Sequence, residues 1–189
     1  MFNLYYNAFN KELMNIILLG YMGVGKSLIG QHLSKILNQK FIDLDEYIAT
    51  KKSKSIHDIF KDSGDIYFRK IESQLLNDCL LNNANIILSV GGGTPCYNNN
   101  MSLINSNENI SVYLKNRNVE LAKRLFQIKE YRPLISDIES EEKMIEFVSK
   151  HMLERINYYN MAKFHVTYDL NDKMDACKKI IGILNKNGL

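Results

Sequence analysis

Residues 20 to 27 read Gly-Tyr-Met-Gly-Val-Gly-Lys-Ser, between the apolar run Ile16-Ile17-Leu18-Leu19 and a stretch of helical periodicity that begins near Leu28. Few folds lead a strand through so glycine-rich a turn and straight into a helix. In such a turn successive backbone N–H groups converge on phosphate oxygens, and the helix N-terminus adds positive potential. A lysine at the position of Lys26 reaches the β- and γ-phosphates, and a hydroxyl at Ser27 can ligate Mg²⁺. Gly23, Val24, Gly25, Lys26, Ser27 and Leu28 are therefore expected to hold a nucleoside triphosphate with its cation. Which group receives the phosphate is a separate question.

A length of 189 residues, 46% of them hydrophobic, suits one domain with a sizeable core and is short for two. The net charge of +3 is spread over scattered lysines. The densest run, Lys51-Lys52-Ser53-Lys54, reads as a solvated helix end, where cations suit the dipole. No long basic stripe with interleaved aromatics points to nucleic acid. Cys79, Cys96 and Cys177 form neither a metal-ligand pattern nor an even disulfide framework, and His32, His57, His151 and His165 also lack metal spacing. A reducing, cytoplasmic setting is expected. No apolar stretch approaches the roughly 18 residues of a membrane span, and no signal-peptide pattern opens the chain, so a membrane is not expected either. Residues 1–13 do not continue the strand that follows them, and Met14 stands just before Asn15-Ile16-Ile17. The expectation is a short extension at 1–13, with Met14 as the natural start of a single domain at 14–189.

Strand-like runs at 16–19, 41–44, 86–90, 110–114 and 164–168 alternate with helical patterns at 26–37, 45–52, 55–61, 65–81, 98–105, 119–127, 141–159 and 174–184. This alternation predicts an α/β fold with a parallel sheet covered on both faces. Ligands of open parallel sheets bind beyond the carboxyl ends of the strands. There the second strand offers Asp43-Leu44-Asp45, whose two-residue spacing on extended backbone can aim both carboxylates to one side. One could hold Mg²⁺, directly or through water, and the other could contact an attacking hydroxyl. Ending a strand and capping the next helix are the ordinary alternatives for such aspartates.

The third strand ends in Gly91-Gly92-Gly93-Thr94-Pro95, suited to a backbone that approaches a ligand closely, or to a flexible turn. Arg69 and Glu72 stand three apart on a predicted helix and can pair, the glutamate holding the guanidinium; an ordinary surface ion pair has the same spacing. Phe60 and Phe68 suit the core, or the wall of a pocket for a small ring. Tyr131-Arg132-Pro133-Leu134 lies in a segment, about 128 to 139, that reads as a mobile lid. A lid arginine can close onto a transferring phosphoryl group. Arg155 follows on the next helix. Together these residues describe a small Mg-ATP phosphotransferase whose acceptor site offers Asp45 to a hydroxyl and arginines to an anion, as a hydroxylated carboxylic acid would require.

With these residues assembled, the chain resembles the shikimate kinase family, through GYMGVGKS at 20–27, FIDLDEYI at 41–48, SIHDIF at 55–60, FRKIE at 68–72, SVGGGTP at 89–95, YRPLI at 131–135 and ERINYY at 154–159. The resemblance implies transfer of the γ-phosphate of ATP to the 3-hydroxyl of shikimate, on the path to chorismate and the aromatic amino acids. The fold expected is α/β, a P-loop NTPase-type three-layer arrangement with a central five-stranded parallel sheet flanked by helices, plus the lid. By the same resemblance Asp45 contacts the reacting hydroxyl, Arg69 and Arg155 grip the shikimate carboxylate, and Gly92 holds the substrate through its backbone. Lys26 and Arg132 surround the transferring phosphoryl group, Ser27 ligates Mg²⁺ and Asp43 is its outer-shell partner. Glu72 supports Arg69, and Phe60 and Phe68 form the apolar side of the pocket. A cytoplasmic monomer is expected, with ATP and shikimate as partners.

Some positions depart from the family pattern. Leu28 replaces a usual threonine, Asp65 stands where Gly-Glu is usual, and Asn157 replaces a proline, so the helix end there is expected to run differently. The family's late basic residue near the adenine has only loose counterparts in Asn171, Asp172 and Lys173. A gluconate or nucleoside monophosphate kinase would share the nucleotide half of the site. A nucleotide-binding protein without catalysis would have little use for Lys26, Asp43, Asp45, Arg69, Arg132 and Arg155 together.

Overall fold

The structure, a computed structural model, describes residues 14–106, 109–132 and 134–189. The expected extension at 1–13 and Pro133 of the expected lid lie outside the described residues. Five parallel strands, β1 (Asn15–Leu19), β2 (Lys40–Asp43), β3 (Ile86–Ser89), β4 (Asn109–Lys115) and β5 (Phe164–Thr167), pair in the order β2-β3-β1-β4-β5. All of β1 and β3 and six of the seven residues of β4 are buried, whereas the edge strands β2 and β5 are partly open. That gradient explains why the central strands read as continuous apolar runs: helices cover both of their faces. Two polar residues inside the sheet pair with each other, Asn15 Nδ2 donating to Asn109 Oδ1 at 3.0 Å.

The connecting helices are α1 (Lys26–Leu37), α2 (Leu44–Lys52), α3 (Ile56–Asn82), α4 (Asn100–Ile104), α5 (Asn118–Gln127), α6 (Glu141–Tyr159) and α7 (Lys173–Lys186), with 3₁₀ turns at Thr94–Cys96 and Lys129–Tyr131. The two helices expected at 55–61 and 65–81 are both present as the two stretches of α3, which meet in a kink at Gly64, whose φ of 76° and ψ of 175° are not helical. Ser55 caps its start by accepting from the Asp58 N–H at 3.1 Å. The helix expected at 98–105 is shorter, because Asn98 and Asn99 both take left-handed φ angles of 49° and 59° before α4 begins. At Asn157, where the family pattern has proline, α6 continues to Tyr159: asparagine keeps the backbone N–H that proline would remove. Lys51 and Lys52 occupy the last turn of α2, as their solvated-end reading requires.

From β1 the chain moves outward to β2, returns to insert β3 beside β1, and then crosses to β4 on the other side. The carboxyl ends of β1 and β3 therefore flank the point where the sheet's winding reverses, which is where such sheets bind ligands. The phosphate-type loop follows one of these strands and the triple glycine follows the other. A backbone bond from the Val90 N–H to the Leu18 carbonyl, 3.2 Å, ties the two exits together.

Candidate active site

Gly20, Gly23 and Gly25 all take left-handed φ angles, 144°, 80° and 90°, and a Cβ at Gly20 would lie 2.7 Å from the Leu114 carbonyl oxygen. The turn thus depends on glycine for its path. Val24 is fully buried, and its carbonyl accepts from the Tyr168 hydroxyl, so it contributes shape and backbone to the loop. Lys26 Nζ donates to the Gly20 and Tyr21 carbonyls at 2.9 and 3.2 Å. Burial pushes its ammonium pKa down to about 8; Asp45 and Asp43 oppose the shift, and Arg132 and Arg155 add to it. Leu28, 39% exposed, faces outward at the end of the loop.

Ser27 Oγ donates to Asp43 Oδ2 at 2.6 Å, which joins the two residues expected to share a cation. The backbone around them corrects the sequence reading. Only Asp43 is extended; it ends β2 and caps α2, accepting from the Asp45 N–H at 3.1 Å, while Asp45 already lies in the first turn of the helix. The carboxylates converge because a cap and a first turn are neighbours, not because alternate residues of a strand share a face. Both line a cleft of about 340 Å³ together with Gly23, Gly25, Lys26, Ser27, Leu28, Gly91, Gly92, Arg124 and Arg132. Water reaches Asp45 through the mouth of this cleft, but protein crowds its other sides. That burial, with Asp43 and Glu72 nearby, pushes the carboxyl up to about 6 against the pull of Lys26 and Arg69.

Among the described residues no group of three or more His, Cys, Asp and Glu could cage a metal. Ser27 and Asp43 nonetheless fit Mg²⁺, which keeps much of its water and takes one or two protein oxygens beside substrate phosphates.

The residues expected to take the acceptor lie beyond the triple glycine. Glu72, only 1% exposed, accepts from Arg69 Nη1 at 2.9 Å and from Thr94 Oγ1 at 2.6 Å. A glutamate so buried excludes the surface ion pair that the spacing alone allowed. The Arg69 guanidinium carbon lies 4.2 Å from the Tyr97 ring centroid, 5.1 Å from Phe68 and 5.9 Å from Phe60, and Asp65 Oδ1 is 3.3 Å from its Nε. The Phe60 and Phe68 rings pack with centroids 4.3 Å apart. A Cβ on Gly91 would stand 3.2 Å from Asp45 Oδ1, one on Gly92 3.4 Å from the Met22 nitrogen, and one on Gly93 2.9 Å from Arg69 Nη2. The three glycines thus form the seam between the two halves.

Arg155 approaches that seam from α6, with its guanidinium carbon 5.6 Å from the Tyr21 ring centroid. One turn later the Tyr159 hydroxyl donates to the Gly92 carbonyl at 2.5 Å. Cys96 senses both arginines: burial pushes its thiol up to about 11 while Arg155 and Arg69 pull against that rise.

A model of the shikimate kinase family matches residues 22–185. The chain belongs to the shikimate kinase family. A shikimate kinase of Flavobacterium johnsoniae is 44% identical over 169 residues, covering 89% of this chain and 98% of the relative. Among solved structures, shikimate kinase from Bacteroides thetaiotaomicron gives a TM-score of 0.83 at 28% identity, covering 93% of this chain and 99% of its own. Shikimate kinase from Acinetobacter baumannii in complex with shikimate gives 0.79 at 31% identity, covering 94% and 96%.

Against this family background, sequence reasoning missed several contributors. Arg124 lines the cleft from α5 and also the adjoining groove of about 910 Å³ between Leu28, Asn116 and Arg117 on one side and Thr167 to Asn171 with Lys173 on the other. Its only sequence cue is its place one turn before the segment expected to form a lid. Tyr97 and Thr94 follow the glycines closely enough to have been suspected. Tyr21 and Tyr159 stand inside the quoted motifs without a role of their own; both are buried, and each reaches a site residue.

Proposed function

We propose that this shikimate kinase family protein transfers the γ-phosphoryl group of ATP to the 3-hydroxyl of shikimate, giving shikimate 3-phosphate and ADP, with a single kinase domain at 14–189. One observation carries the acceptor assignment: a guanidinium stacked on aromatic rings and held by a buried glutamate faces the triple glycine, and Asp45 feels both it and Lys26. In this reading Arg69 and Arg155 take the carboxylate, the Gly92 backbone takes a ring hydroxyl, and Phe60 and Phe68 cover the apolar side of the ring. Glu72 keeps Arg69 in place. Residues Gly23 to Leu28 hold the phosphates, and the groove beside Arg124 receives the adenosine end.

Ser27 and Asp43 would hold Mg²⁺, which neutralises charge on the β- and γ-phosphates when bound. Lys26 exchanges its loop carbonyls for phosphate oxygen, and Arg132 approaches from the lid segment on the other side. Asp45 accepts the hydrogen bond of the 3-hydroxyl and aims its oxygen at the γ-phosphorus. The new oxygen–phosphorus bond forms as the bond to the bridging oxygen of ADP breaks, and the hydroxyl proton passes to Asp45. Because the transition state is loose, that proton moves late, and orientation is the larger part of the aspartate's work. The protein is proposed to act as a cytoplasmic monomer: its three cysteines are free thiols, in keeping with a reducing compartment. Among the described residues no helix is long and apolar enough to cross a membrane.

ADP release in Mg-ATP, measured with shikimate, gluconate, nucleoside monophosphates and no acceptor, tests the reading. Turnover with shikimate alone is expected; turnover with another acceptor, or with none, overturns it. The acid limb of the shikimate-dependent kcat/KM supplies a second check. A protonated Asp45 cannot accept from the hydroxyl, and its pKa lies at about 6. Activity should therefore fall about tenfold per pH unit below that value and level off above it. An acid limb centred near an ordinary aspartate pKa would contradict the assignment.

A further inference from the structure

Tyr21 is the second residue of the phosphate loop, and nothing in phosphate binding calls for a large aromatic there. Its ring is nevertheless 1% exposed and turned away from the cleft, toward α6. Three contacts define its place. The hydroxyl lies 3.1 Å from His151 Nδ1, the ring faces the Arg155 guanidinium at 5.6 Å, and the backbone carbonyl accepts from Lys26 Nζ at 3.2 Å. His151 is fixed in turn by Phe147, with ring centroids 4.3 Å apart, one turn earlier on the same helix. Residues 147, 151 and 155 recur at i, i+4 and i+8 along α6 and so present one stripe to the loop. Tyr21 therefore touches the donor half through its backbone and the acceptor half through its ring.

We infer that Tyr21, braced by His151, is a positioning residue that presents Arg155 to the carboxylate of the acceptor; the inference rests on the proposed function. An arginine on a helix has several rotatable bonds, and a single charge-assisted contact to substrate must overcome their entropy. An aromatic face under the guanidinium removes much of that freedom beforehand, and the attraction strengthens where water is excluded. The hydroxyl bond to His151 keeps the ring from turning edge-on. One turn on, Tyr159 is fully buried, bonded to the Gly92 carbonyl and close enough to Arg155 to feel its charge and hydrogen bonding. The guanidinium thus has two tyrosine neighbours, one tied to the phosphate loop and the other to the triple glycine.

The test is a double-mutant cycle read by calorimetry of shikimate binding and by steady-state kinetics, using Tyr21→Leu, Tyr21→Phe, Arg155→Ala and Tyr21→Leu/Arg155→Ala. Tyr21→Leu should weaken shikimate binding about five- to twentyfold, the range of a partly desolvated cation–π contact, with a much smaller change in the ATP KM. Tyr21→Phe, which keeps the ring and loses only the bond to His151, should recover most of that loss. In the Arg155→Ala background, Tyr21→Leu should have almost no further effect on shikimate binding, since the two residues act through one contact. Full additivity, or a larger loss for ATP than for shikimate, would show that Tyr21 serves only the packing of the loop and overturn the inference. A Tyr21→Leu protein that does not fold is replaced by Tyr21→Met, which also removes the ring but fills more of its space; additivity of Tyr21→Met with Arg155→Ala has the same meaning. An unsubstituted protein that neither binds nor phosphorylates shikimate would overturn the proposed function itself. Normal binding that both Tyr21 variants leave unchanged overturns this inference alone.

Discussion

Asp45→Asn should lower kcat with shikimate about a hundred- to ten-thousandfold, the usual span for a positioned acid–base group, while the ATP KM stays nearly constant. Asparagine matches the shape of the carboxyl and can still occupy the first turn of α2, so the fold should survive. What changes is the acceptor: the amide cannot take the hydroxyl proton and presents N–H donors where an oxygen lone pair was needed. The side chain also stops being an anion beside Lys26, whose pKa Asp45 helps to hold up against burial. Lys26 should therefore lose some charge near pH 8 in the variant, a secondary loss that nucleotide phosphates would largely restore. Steady-state kinetics at saturating Mg-ATP, with ATP binding measured separately, would separate the two effects. Loss of ATP binding equal to the loss of turnover would place Asp45 in the nucleotide half and overturn its role toward the acceptor.

Arg69→Ala should raise the shikimate KM about thirtyfold or more, equivalent to about 2 kcal/mol for one lost charge-assisted contact. The effect has a second source. Removing the guanidinium leaves Glu72 at 1% exposure with Thr94 as its remaining side-chain hydrogen-bond partner, so the protein should also lose stability. Arg69→Lys distinguishes the two: it keeps a cation near Glu72 but loses the planar fork and the stacking on Tyr97 and Phe68. It should recover stability more fully than affinity. Unchanged shikimate affinity in Arg69→Ala, with the variant folded, would remove Arg69 from the acceptor site.

The parts of the proposed nucleotide half were legible in the sequence because they are local. An apolar run, a glycine turn and a helix start lie within twelve residues of one another, and α1 begins at Lys26, where the periodicity placed it. The pairing of Arg69 with Glu72 was also legible, since three residues on a helix share a face. Whether that pair was buried was not, because its cover comes from Gly93, Thr94 and Tyr97, far away in the chain. The same limit hid Tyr21 and Tyr159: the motifs that contain them give neither aromatic a role, and only the approach of α6 to the sheet gives each its partner. Asp43 and Asp45 line one cleft, as expected, but on a different backbone from the one expected. Two carboxylates at that spacing suit either a strand or a cap followed by a first turn, and α2 begins one residue earlier than its periodicity suggests.

The phosphate loop and the triple glycine leave adjacent strands, about 4.8 Å apart in any sheet, and the bond from Val90 to Leu18 holds them there. The side chains proposed to grip the acceptor's carboxylate and cover its ring hang elsewhere, on α3 and α6. Catalytic reach and substrate choice are therefore carried by separable parts: the sheet holds a phosphoryl donor at a set distance from a docking floor, and the helices decide what may stand on that floor. A chain built this way can exchange its acceptor by changing side chains on two helices without disturbing the register that brings donor and acceptor together.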